Sequence, residues 1–194
     1  NDLTLADDTL LRLERTFNNG NNGFDVGLNF PGDQTLGGSG TVELYSLLNH
    51  HHEESDVRVR PTGGGTLTIA QGVTLQNSTN SRFATLGDAA GGSLIIQGTV
   101  RAQSSGNSLR VTGTTVSLTD PLDASPAGSH GTLAATDGVL DVNQLSGDVH
   151  HLQVAGGTVD LDGGYQLVVP AEVTAGALTL RGDWVHQTTI HQTG

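Results

Sequence analysis

Residues 64–76 read G-G-T-L-T-I-A-Q-G-V-T-L-Q. Two short apolar pairs, Leu67/Ile69 and Val73/Leu75, alternate with polar residues, and Gly72 stands between them. A period of two sends one set of side chains to a buried face and the other to water, so each pair reads as a half-buried strand with a bend between. The unit recurs along the chain. Leu94/Ile96 is followed by Gly98 and Val100, and Leu109/Val111 by Gly113 and Val116/Leu118. Leu133/Ala135 precedes Gly138 and Leu140/Val142; Leu152/Val154 precedes Gly157 and Val159/Leu161; Leu178/Leu180 precedes Gly182 and Trp184.

The first pairs begin at 67, 94, 109, 133, 152 and 178, a mean step of about 22 residues. Within the unit the spacing is nearly constant, so the variation falls in the loops, as in a solenoid whose coils touch only their neighbours. With no helical stretch inside the period, the sequence predicts an all-β fold, a right-handed parallel β-helix in a single stack of about nine coils. At about 4.8 Å per coil the rod would be on the order of 40 Å long. A β-sandwich also yields short alternating strands, but it needs hairpin turns throughout. Here Asn-Gly dipeptides are confined to Asn19-Gly20 and Asn22-Gly23.

Residues 61–194 hold the regular coils, and residues 1–60 form less regular ones with protruding loops. In the latter, Leu3/Leu5, Leu11/Leu13, Val26/Leu28, Val42/Leu44 and Val57/Val59 still alternate and read as strands. Residues 9–15 (T-L-L-R-L-E-R) follow Leu-Thr-Leu, whose period is already two, and are assigned to a strand rather than to a helical turn after Asp7-Asp8. Residues 17–24, F-N-N-G-N-N-G-F, read as a loop.

Composition narrows the function classes. The 28 glycines and the scarcity of aromatics suit tight corners around a narrow aliphatic interior. A net charge of −12, with eight arginines and no lysine, leaves no basic stripe to displace counterions from nucleic acid. No apolar run is long enough to span a membrane as a helix. The absence of cysteine rules out disulfides. Without a methionine at residue 1, the sequence is expected to be a processed chain or an excerpt of a longer one.

Residues 32–44, G-D-Q-T-L-G-G-S-G-T-V-E-L, together with the stretch at 64–76, resemble the β-helical repeats of large bacterial surface proteins. These are the passenger regions of autotransporters and the filamentous-haemagglutinin-like adhesins. The resemblance implies a secreted or cell-surface protein with an adhesive or structural role, and it brings no catalytic residue with it.

Several polar constellations remain. His50, His52 and Glu54 lie in N-H-H-H-E-E-S-D and share one face if extended, a spacing compatible with zinc; the competing reading is a solvated protruding loop. His150 and His151 read as corner histidines, with His150 inward and His151 outward. Aligning the second strands stacks Val73, Val100, Val116, Leu140 and Val159. The outward neighbours Thr74, Arg101, Ser117, Asp141 and Asp160 then form a column. Asp141 and Asp160 fall on adjacent coils with Asp162 nearby, so calcium, an arginine or plain solvation must offset their repulsion.

The acid pair also admits a carbohydrate-cleaving enzyme of the retaining type. The alignment puts Arg101 as the nearest arginine, two coils from Asp141, and no converging cleft is evident, so the chain reads as non-enzymatic. Aligned positions Ser93/Ile95 and Ser108/Arg110 interrupt any Thr-x-Thr ladder of an ice-binding face. The sequence therefore predicts an extracellular structural or adhesive rod with no required cofactor, calcium being the possible one. The runner-up is a carbohydrate-binding or carbohydrate-cleaving β-helix with surface carbohydrate as partner. Neither Leu3-Thr4-Leu5 nor H-Q-T-T-I-H-Q-T-G resembles a cap, so both ends are expected to pair with further coils or, head to tail, with a second copy.

Overall fold

The computed structural model describes residues 2–15, 26–46, 57–78, 83–119, 130–187 and 189–193. All the regular structure among them is strand, and every strand pairing is parallel. The strands belong to one continuous sheet whose partners lie a coil apart in sequence, which makes the fold a parallel β-helix. No helix among the described residues is long and apolar enough to cross a membrane.

Each coil has three sides. The first is built from Leu3–Leu5, Gln34–Gly38, Thr66–Ile69, Ser93–Ile96 and Val116–Ser117, then from residues 145–149, 163–167 and 182–186. The second runs from Leu10–Arg15 through Thr41–Ser46 and Thr74–Asn77 to residues 99–103, 132–135, 151–154 and 171–173, ending in Ile190–Gln192. The third stacks Val26–Pro31, Val57–Thr62 and Phe83–Gly87 under residues 108–112, 139–142, 158–161 and 177–180. Among the described residues this makes seven complete coils and two sides of an eighth, a rod of about 35 Å. The expected nine coils are too many.

The miscount has a physical origin. An alternating apolar pair followed by glycine marks any side of a coil, because all three sides face the same interior and all three end in a tight corner. The six leucines at 67, 94, 109, 133, 152 and 178 are thus drawn from three sides. Leu67 stands over Leu94 on the first side and Leu133 over Leu152 on the second, while Leu109 and Leu178 belong to the third. All six nevertheless point inward: five are fully buried and Leu178 is half-buried against the core. Alternation fixed the facing of each residue correctly but not its place in the stack.

The interior is a set of aliphatic columns. Val42, Leu75, Val100, Leu133 and Leu152 stack on the second side, and Val57, Ala84, Leu109, Leu140 and Val159 on the third. All of these are buried. Close packing of neighbouring coils leaves no room for a side chain at two glycines of the turn from first to second side. A Cβ on Gly98 would meet the carbonyls of Val73 and Ala70, and one on Gly131 the carbonyl of Ile96. That close approach also pairs the backbone around the corner: Thr74, Thr99 and Thr132 each donate to the corner of the preceding coil, to Gly40, Val73 and Gly98, at 2.9 Å.

The described residues before 61 belong to the same stack as the rest. Residues 10–15 are strand, as their alternation requires, and pair with Thr41–Ser46. The segment 17–24 lies outside the described residues.

Candidate functional site

The third side carries the densest charge. Its outward column runs Arg58, Thr85, Arg110, Asp141, Asp160 and Thr179 from coil to coil. The expected stacking of Asp141 on Asp160 is therefore present. The rest of the expected column is not: Thr74 and Arg101 are on the second side and Ser117 on the first. This changes the chemistry around the acids. Arg110, directly below Asp141, points its Nε at Asp141 Oδ2 from 3.4 Å. Arg181, above, donates from Nε and Nη2 to the two oxygens of Asp160 at 2.8 and 2.6 Å. Its Nη2 also lies 3.9 Å from Asp141 Oδ1, and Asn143 Nδ2 donates to that same oxygen at 3.0 Å.

Two stacked carboxylates are thus bracketed by two guanidiniums. Arginine offsets their repulsion, and its planar fork suits the two-point grip on Asp160. Asp162 stands opposite Arg181 in the register, but the ion pairs of Arg181 run to Asp160 and Asp141. Among the described residues no three histidine or acidic side chains converge as a metal site would require. The other candidate ligands, His50, His52 and Glu54, lie outside the described residues.

An open groove of about 750 Å³ lies on the first three coils, at the corner between first and second sides. Several of its polar lining groups are already paired, with one another or with arginines beside the groove. Asp7 accepts from the Ser39 hydroxyl, and Arg12 donates from Nε to Glu43 at 2.6 Å while its guanidinium covers the Tyr45 ring at 4.9 Å. Gln76 accepts from Arg101. The groove and the acid pair are on different coils, so the groove does not gather Asp141, Asp160 and Asp162.

The first-to-second corner of the fifth and sixth coils holds a third cluster. The rings of His130 and His150 stack with centroids 3.5 Å apart and planes 15° apart. His150 is half-buried and His151 exposed, between the buried Val149 and Leu152, so strict alternation does not run through this corner. Burial first, then the neighbouring His130, holds His150 below the usual imidazole range, with Asp148 acting the other way. Tyr165, buried near the last coil, has its phenol pushed up to about 12, chiefly by burial, and so remains protonated near neutrality.

Set against protein-family models, curated proteins and solved structures, the chain matches none of them. Its functional reading thus rests on this geometry and on the sequence resemblance alone.

The pairings of Arg110 and Arg181 with the acids, and of His130 with His150, escaped the sequence reading. Arg181 was masked by the mistaken column, although Asp141 and Asp160 are 19 residues apart and Thr179, two residues before Arg181, is 19 beyond Asp160. The coil length of this region, once recognised, would have placed it. The His130–His150 stack has the same kind of signal, a separation of 20 residues across one corner.

Proposed function

We propose that the chain is an extracellular structural or adhesive rod of a bacterial surface protein, secreted or held at the cell surface, and not an enzyme. The observation that carries this reading is the unbroken parallel ladder, from Leu3–Leu5 to Ile190–Gln192, around one aliphatic interior. A stack of that kind is stiff along its axis and offers long polar faces for contact. The third-side acids support the same reading. They are engaged by Arg110, Arg181 and Asn143, whereas a general acid or nucleophile has to be free to meet substrate.

The last coil supports a role in a longer stack. Trp184, Val185 and Ile190 are 37%, 58% and 40% exposed, and Ile190–Gln192 has a strand neighbour on one side only. A second copy stacked head to tail would cover such a surface. Electron microscopy of the purified chain, with sedimentation over a range of concentrations, tests the proposal. Rods that lengthen with concentration support stacking between copies; compact particles with no axial shape overturn the rod itself.

The runner-up is a carbohydrate-active β-helix. The specific observation in its favour is that Asp141 and Asp160 do stand beside arginines, contrary to the sequence reading. Incubation with neutral and uronate polysaccharides, followed by reducing-end and unsaturated-product assays, separates the two. Cleavage abolished by Asp160→Asn would establish the enzyme.

A further inference from the structure

We propose that the His130–His150 stack is an acid-released clasp between the fifth and sixth coils. Neutral rings pack face to face and hold the corner; protonation parts them. Adjacent coils bring the two histidines together because each occupies the turn from first to second side. His130 precedes Gly131, whose N–H donates to the Leu118 carbonyl at 2.8 Å, and His150 precedes the second-side segment that begins at His151. Gly131 is held against the Ile96 carbonyl, so the corner is tightly seated.

The geometry makes the pair sensitive to charge. Two neutral imidazoles 3.5 Å apart gain stacking and dispersion, whereas two imidazolium ions at that distance repel each other across a partly dry contact. His130 Nδ1 is buried and has no hydrogen-bond partner. In the neutral ring it can be the bare acceptor nitrogen; on protonation both nitrogens carry hydrogen, and a buried charged donor is left unsatisfied. The neutral state therefore belongs to the closed corner.

Among the described residues, the charged and titratable groups acting on His150 are His130, Asp148 and His151; Asp120 and Asp123, which precede His130 in the chain, lie outside the described residues. The corners of the coils on either side, at Gln97-Gly98 and at Val168-Val169-Pro170, contribute none. Asp148 favours the charged form, but burial and the two histidines oppose it, and the balance lies below the ordinary value of 6.5. The sign follows. Below that value the unfolded chain binds more protons at His150 than the folded one, so the stability from its neutral ring is full above about pH 6.5 and is lost as the pH falls from there.

The test is the thermal midpoint at pH 7.5, 6.5 and 5.5 for the unaltered chain, His150→Gln and His130→Gln, together with imidazole titration by NMR on the unaltered chain. The clasp requires a midpoint that falls toward pH 5.5, a flatter dependence in His150→Gln, and two coupled histidine titrations with one below the ordinary value. It also requires that amide exchange at residues 132–135 and 151–154 quicken in acid before the rest of the ladder. A flat midpoint in the unaltered chain overturns the clasp, as does an unchanged dependence in His150→Gln. Should both Gln variants fail to fold, independent titration of the two rings at the ordinary value overturns it.

Discussion

The coils before residue 130 and those after it solve the same packing problem with different lengths of chain. From Leu3 to its partner Leu36 a coil takes 33 residues, and from Thr99 to Thr132 it again takes 33. From Leu133 to Leu152, and from Ala171 to Ile190, it takes 19. In the later coils pairing runs through the corners, so that Thr132–Val149 and His151–Leu167 are each one long strand covering all three sides. In the earlier ones the strands are short and separate, except for Thr99–Thr112, which covers two sides. Yet the interior columns pass from one region to the other without a break. The three sides are what the solenoid conserves; the corners absorb every change of length.

This comparison can be broken most severely by insertion. One glycine placed between Asp160 and Leu161 reverses the facing of the residues that follow in a third-side strand and puts a charge into the core. Urea unfolding followed by circular dichroism should then lose its single cooperative transition. A Gly-Ser insertion after Ser105, where exposed chain already slips register between Gln103 and Ser108, should cost only about 1 kcal/mol. Equal damage from the two insertions would mean that corners are not elastic.

Truncation within the columns comes next. Leu152→Ala, at a fully enclosed position, should cost about 2–5 kcal/mol in chemical denaturation. Leu178→Ala, half-buried on the penultimate coil, should cost less than half as much. If both cost the same, something covers the last coil in solution.

The charge ladder is a smaller effect. Arg181→Gln leaves two stacked carboxylates facing each other, while Arg60→Gln leaves only Asp88, its partner at 2.9 Å. With half of the Arg181 side chain exposed, the loss should be about 1 kcal/mol at low ionic strength and should shrink in high salt. Adding Asp160→Asn to Arg181→Gln should recover most of it. A larger loss from Arg60→Gln would remove the argument that Arg181 neutralises the pair.

The smallest expected change is none. With arginine already beside Asp141 and Asp160, a chelator should leave the melting midpoint where it was. A clear drop on chelation, restored by calcium, would bring back the calcium reading for Asp141, Asp160 and Asp162.

Inward facing was legible at nearly every strand, because alternation is a local property of the chain. It placed Leu5, Val42, Leu109 and Leu152 in the interior and Asp141 and Asp160 outside. It also assigned residues 10–15 to a strand despite their helix-forming composition, since a period of two outweighs weak propensity. Stacking was a different matter. The register that put Asp141 on Asp160 was right because those coils happen to be free of inserted loops. It failed for Arg101, Ser117 and Val116, where each step between apolar pairs crosses an unknown number of sides.

What this sequence determined by itself was the class of the fold: short alternating strands, glycine at the turns, and an aliphatic interior that only a coiled parallel sheet can close. What tertiary structure alone decided was which residues lie above one another, and with that the pairing of Arg110 and Arg181 with the acids and of His130 with His150. The reason is physical. Facing depends on backbone geometry two residues at a time, whereas stacking depends on the path length around a whole coil, and that length is set by corners whose sequence carries no count of the sides between them.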